Sequence, residues 1–138
     1  MVQTHRDPAV ALPSLESLLY SLHSLLCADV DVPRLAESSA RWIEAMVEGS
    51  ARGRAVARPG QILDVAYPDL VTDPIGTVRD IHRHFDLPFD DAFEARLHEQ
   101  TVNRPKDKFG RHEYSNAEFG TTDEAVRQRF AGYIDAYL

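Results

Sequence analysis

The chain has 138 residues, is 43% apolar and carries a formal net charge of −7. That is enough for one ordinary globular domain with a real core, and the acidic balance excludes a general nucleic-acid surface, because phosphate-backbone binding needs a basic face. Cys27 is the sole cysteine, so an internal disulfide is excluded, and without a leader or an apolar run of membrane-spanning length the sequence reads as cytoplasmic with no membrane span.

The first predicted element is a short strand near residues 2–5, which delivers His5-Arg6-Asp7-Pro8. Asp7 and Pro8 make a helix entry, as N-cap and first-turn residue. Leucines at 12, 15, 18, 19, 22, 25 and 26 then follow helical spacing and predict an apolar helix from Leu12 to Leu26, with Ser14 at its head. An arginine at a strand end, with a hydroxyl eight positions on near a helix start, is suited to holding a phosphate. The guanidinium offers a bidentate fork, the hydroxyl one donor, and the helix start its backbone N–H groups and positive dipole end. His5-Arg6-Asp7 also matches the opening of a kinase catalytic loop, but Leu12 stands where that loop needs an asparagine for its metal and no Asp-Phe-Gly follows, which excludes it.

A second helix is predicted from Pro33 to about Val56 on the recurrence of Leu35, Trp42, Ile43, Met46 and Val47. Arg58-Pro59-Gly60 ends it, and the apolar stretch 62–67 reads as a buried strand closing in Tyr67, so strand, helices and strand form a parallel crossover unit. Asp73-Pro74 opens another helix with an apolar stripe at Ile75, Val78, Ile81 and Phe85, stopped by Leu87-Pro88. Asp90 or Asp91 opens a shorter one through about Val102. Asn103 to Gly120 reads as a loop bearing Arg104, Lys106, Lys108 and Arg111. Thr121 and Glu124 then form a capping box for a closing helix lined by Val126, Phe130, Tyr133, Ile134 and Tyr137.

Two further constellations could carry chemistry. His82 and His84 with Asp80 suggest a metal, yet helix residues two apart point to different sides, and surface histidines account for them better. Glu44 and Glu48, one turn apart, could pair as acid and base; a solvated helix face accounts for them more simply. No metal site is expected.

Three segments, in order, resemble stretches of the sulfotransferases that use 3′-phosphoadenosine 5′-phosphosulfate (PAPS). Arg6-Asp7-Pro8 with Ser14 resembles the family's 3′-phosphate-binding stretch. Tyr67 through Asp73-Pro74 to Phe85-Asp86-Leu87 resembles the segment that begins at a tyrosine beside the adenine, with Pro68 where the family has glutamate. Lys106 to Ser115, containing Gly110, Arg111, His112 and Tyr114, resembles the basic C-terminal loop that closes over the cofactor.

The resemblance implies an α/β fold, the C-terminal part of a P-loop-like three-layer architecture that is mostly helical with a small parallel sheet. Residues 1–138 would be a single partial domain, the C-terminal half of a sulfotransferase-like domain without the N-terminal phosphosulfate-binding loop. It implies PAPS as cosubstrate and transfer of a sulfuryl group to a hydroxyl or amine of a small-molecule, lipid or carbohydrate acceptor in the complete enzyme. It also implies cofactor contacts from Arg6, Ser14, Tyr67, Lys106, Lys108, Gly110, Arg111, His112 and Tyr114, no catalytic residue in this chain, and an isolated chain that is inactive. Bare sheet edges would favour self-association or pairing with an N-terminal fragment. The competing reading from a different class is a non-catalytic helical protein-interaction module.

Overall fold

The structure, a computed structural model, describes residues 1–103 and 114–138. The chain divides into two compact units, Met1–His5 with Ala57–His112, and Arg6–Val56 with Glu113–Leu138. Among the described residues no helix is long and apolar enough to cross a membrane.

The first unit is built on two parallel strands, β1 (Val2–His5) and β2 (Leu63–Ala66), in the register Val2↔Leu63 to His5↔Ala66. Parallel strands need a long connection, and here it runs through the helices of the other unit. The ladder is anchored at its start, where the Met1 amine donates to Gln61 O at 2.7 Å and Leu63 N donates to Met1 O at 3.0 Å. His5, 1% exposed, lies diagonally across the ladder from Asp64 and meets its Oδ1 through Nε2 at 2.7 Å. Val65 is the buried apolar residue of β2.

Tyr67 does not close the second strand as its apolar content suggests. It opens a short helix, α3 (Tyr67–Thr72), because Pro68 cannot donate to a ladder and its fixed φ suits a first helical turn. The helix α4 (Pro74–His84) starts where expected, with Asp73 Oδ1 accepting from Gly76 N at 2.8 Å. A Cβ on Gly76 would stand 2.0 Å from Asp73 Oδ2, so the carboxylate caps only because residue 76 is glycine. Gly76→Ala is expected to displace the cap and lower stability by about 1 kcal/mol, read from denaturant midpoints at constant m.

The other end of α4 is a Schellman turn. Leu87 N donates to His82 O at 2.8 Å and Asp86 N to Arg83 O at 3.4 Å, with Asp86 at φ 52°. A left-handed non-glycine residue costs roughly 1 kcal/mol, so Asp86→Gly is expected to stabilise the chain by about 0.5–1 kcal/mol in the same measurement. The helix α5 (Asp91–Asn103) is capped by Asp90, whose Oδ1 accepts from Phe93 N at 2.7 Å. It is tied to α4 by the Arg79–Glu94 ion pair and by the stacking of His82 on Phe93 at 4.9 Å.

The second unit is helical: α1 (Pro8–Ser24), α2 (Val32–Ala55), a 3₁₀ turn at Asn116–Phe119, α6 (Asp123–Arg129) and α7 (Ala131–Tyr137). Its core is Ala9, Leu12, Ala40, Val126 and Phe130, with Ile43 packed against it. The buried amide of Asn116 sews the C-terminal part to α1, its Nδ2 donating to Ala9 O and to Asp123 Oδ1, both at 2.8 Å. Toward the end of α1 the leucines lose their cover, and just past it Leu25 and Leu26 are 81% and 86% exposed.

Three local expectations are corrected in this unit. The helix α1 runs from the Asp7-Pro8 entry to Ser24, so the span Leu12 to Leu26 suggested by the leucines starts four residues late and ends two residues late. The capping box stands at Ser115 and Glu118, ahead of the 3₁₀ turn. Thr122, not Thr121, caps α6 by accepting from Ala125 N at 3.1 Å. Thr121 is consumed in closing the turn at Gly120 (φ 76°), where its N–H reaches Asn116 O at 3.1 Å. Finally, the closing helix is two helices, broken at Phe130 (φ −105°, ψ 20°), whose ring is held in the core.

Candidate anion-binding site

Arg6 follows β1 directly, and Asp7 and Pro8 turn the chain into α1. Asp7 Oδ1 accepts from Ala9 N at 2.9 Å, and the Asp7 carbonyl accepts from Val10 and Ala11 N at 2.9 and 3.0 Å. Pro8 has no N–H to give. The first-turn donors are therefore spent within the chain, and the carboxylate facing the positive end of the helix dipole is Asp7 itself. Arg127 of α6 grips that carboxylate, donating from Nε at 3.0 Å and Nη2 at 2.8 Å to Asp7 Oδ2, which raises the guanidinium's pKa further. An incoming anion at this turn meets side chains rather than helix N–H groups, contrary to the expectation drawn from the strand–helix pattern.

The side chains in question are Arg6 and Ser14, both half-buried. Ser14 is the seventh residue of α1 rather than its head. The buried residues of α1 are Pro8, Ala9, Leu12, Pro13 and Glu16, and helical geometry sets Ser14 roughly half a turn round from their face. Its hydroxyl thus stands on the side of α1 away from the core of its own unit. Tyr114 belongs to the same unit, half-buried one residue before the capping box. Tyr67 belongs to the other unit, as the half-buried first residue of α3. Lys106, Lys108, Gly110, Arg111 and His112 lie outside the described residues.

Several other charged groups form structural pairs. Arg129 joins α6 to α2, meeting Glu44 through Nε at 2.7 Å and Nη2 at 2.8 Å and Glu37 through Nη1 at 2.8 Å. Hydrogen bonds from Arg129 and Arg41 hold Glu37 down at about 2, and Arg129 lowers Glu44 as well. Glu44 is thus an ion-pair carboxylate, and Glu48 faces Arg52 at 3.7 Å, so the two do not form an acid–base pair. His82 and His84 diverge as their spacing requires, to Pro88 O at 2.8 Å and to Gly60 O at 2.9 Å.

Two residues escaped the reading of the sequence. Arg127 lies 120 positions from its partner Asp7, and no local pattern announces it. Glu16 is different, because Ala9, Leu12, Pro13 and Glu16 recur at helical spacing and put it on the core face, a stripe that the denser leucine pattern obscured.

A family model described as "Sulfotransferase family" matches residues 1–91. The structure aligns with sulfotransferase STF9 from Mycobacterium avium at TM-score 0.79 and 28% identity, over 96% of this chain and 34% of that one. It aligns with sulfotransferase STF1 from Mycobacterium tuberculosis at TM-score 0.69 and 32% identity, over 95% of this chain and 33% of that one. The chain therefore spans about a third of the length of these structures. No curated protein sequence matches it.

Proposed function

The chain belongs to the sulfotransferase family, and from that premise we propose that it supplies the 3′-phosphoadenosine end of a PAPS site. Arg6 and Ser14 hold the 3′-phosphate, Tyr67 lies against the adenine, and the segment with Lys106, Lys108, Gly110, Arg111, His112 and Tyr114 covers the nucleotide. The observation that carries this reading is the placing of Ser14 on the outer side of α1, in the same unit as Arg6, with Asp7 between them already engaged by Ala9 N and Arg127. The Asp7 carboxylate thus has its own partners in the chain, and the guanidinium of Arg6 offers a planar fork suited to two phosphate oxygens.

Sulfuryl transfer asks for little covalent help. The donor must be held in line with an acceptor oxygen or nitrogen while fixed donors absorb charge developing on the bridging oxygen. Gripping the 3′-phosphate contributes the holding: binding energy at a non-reacting end of the cosubstrate fixes the reacting end. Binding the nucleotide is the part assigned to this chain; transfer to a small-molecule, lipid or carbohydrate acceptor is assigned to the complete enzyme.

Thermal melting of the 138-residue chain with 3′-phosphoadenosine 5′-phosphate tests the reading. At ~100 times its dissociation constant, a ligand confined to the native state stabilises by about 2.7 kcal/mol. An unmoved melting temperature at millimolar ligand would reject the nucleotide site and favour the interaction-module reading, for which the exposed Leu25 and Leu26 are the supporting feature.

A further inference from the structure

We propose that the groove bounded by α1, α2, the 3₁₀ turn and α6 binds an organic ammonium ion with an apolar body, with the Glu16 carboxylate as its counter-ion. The groove lies wholly within the second unit and does not depend on the nucleotide reading. Its volume of about 510 Å³ falls in the range of small-molecule sites, and Leu12, Val32, Ala36, Ala40, Phe119 and Val126 give it apolar walls. Glu16 lines it with 1% of its surface exposed, and among the described residues its Oε2 has no hydrogen-bond partner. A buried carboxyl oxygen left unpaired is costly, and a donor brought by a ligand removes that cost.

Charge decides what kind of donor. Among the described residues, the other charged groups lining the groove are Glu37 from α2, Glu118 from the 3₁₀ turn and Arg129 from α6, so three carboxylates face one guanidinium. Arg129 is already engaged by Glu37 and Glu44. An anion is repelled and a cation attracted. A bare metal ion would need several oxygens around it, whereas apolar walls with one deep carboxylate match an alkyl chain ending in an ammonium group.

The site carries a built-in signature. Burial pushes the Glu16 carboxyl up to about 7, so below neutral pH the ligand must displace a proton to bind. Glu37 and Arg129 keep their charges through this range, the first held at about 2 and the second raised above its usual value.

The test is titration of the whole chain with n-hexylammonium, n-hexanol and hexanoate at pH 6 and pH 8, followed by the amide NMR shifts of Ala36, Ala40 and Phe119. The expected result is binding of hexylammonium in preference to the other two, roughly tenfold tighter at pH 8 than at pH 6. Glu16→Gln, with its fold checked by the amide spectrum, is expected to lose at least about tenfold in affinity and all of the pH dependence. Hexanol binding as well as hexylammonium, equal hexylammonium affinity at the two pH values, binding unchanged in Glu16→Gln, or no shift with hexylammonium would each overturn the proposal. The wild-type comparison needs no variant, so the proposal can fail even if Glu16→Gln does not fold.

Discussion

Replacing Arg6 with alanine is expected to abolish the stabilisation by 3′-phosphoadenosine 5′-phosphate while the unliganded chain still folds. Arg6 sits between the sheet ladder and the capped start of α1 and belongs to neither the core cluster nor the cap. Its removal therefore takes away the charged fork for the phosphate and leaves the Asp7–Arg127 grip in place. The whole of the ~2.7 kcal/mol expected at saturating ligand is at stake. Lysine at this position should recover only part of it, because an ammonium cannot meet two phosphate oxygens in one plane. Paired melting curves with and without ligand separate loss of binding from loss of stability. A shift of full size in Arg6→Ala would remove this residue from the site.

The second large effect concerns stability alone. Glu16 has its carboxyl raised from 4.5 to about 7 by burial, so between those values the folded chain holds a proton that the unfolded chain has released. Stability is then complete below about pH 4.5, declines as pH rises toward 7, and above it is lower by about 3 kcal/mol. Glutamine has nearly the same shape and no charge to desolvate. Glu16→Gln is expected to match the parent near pH 4 and to exceed it by up to about 3 kcal/mol at pH 8, measured by urea denaturation. Parallel profiles for the two proteins would contradict the assignment. Glu37 acts in the opposite sense: its carboxyl, lowered by Arg129 and Arg41, adds stability above about pH 4.5 that is lost as pH falls toward 2. The two together set the stability maximum on the acid side of neutrality.

The elements that could be read from the sequence are those that local chemistry decides. The strands expected near 2–5 and 62–67 are Val2–His5 and Leu63–Ala66, and Asp73-Pro74 and Asp90 open helices at the expected places. The departures occur where two local rules compete. At Tyr67 a strand-forming side chain precedes a proline, and the proline prevails. At Thr121 and Thr122 two equivalent hydroxyls compete for one cap, and the left-handed Gly120 settles it by using Thr121 in the turn. The break at Phe130 could not be seen from periodicity, since Val126, Phe130 and Ile134 continue a helical stripe straight through it.

The site divides along the same line. Arg6 and Ser14 enter the proposed site on a strand end, a capped helix start and a spacing of eight, which are all local features. The spending of the first-turn N–H groups was not legible, because it depends on Asp7 being held from α6, a contact made only in the folded chain. Glu16 is hard to read for another reason: a carboxylate on a core face contradicts the pattern by which core faces are found.

Recognition of a 3′-phosphate through Arg6 and Ser14 is the proposal on which the function rests. Its most direct test is a calorimetric titration with 3′-phosphoadenosine 5′-phosphate and with adenosine 5′-phosphate, which differ only in that group. Charge-assisted bonds from the two side chains predict at least about a hundredfold tighter binding of the former. Equal affinity for the two nucleotides would contradict the account.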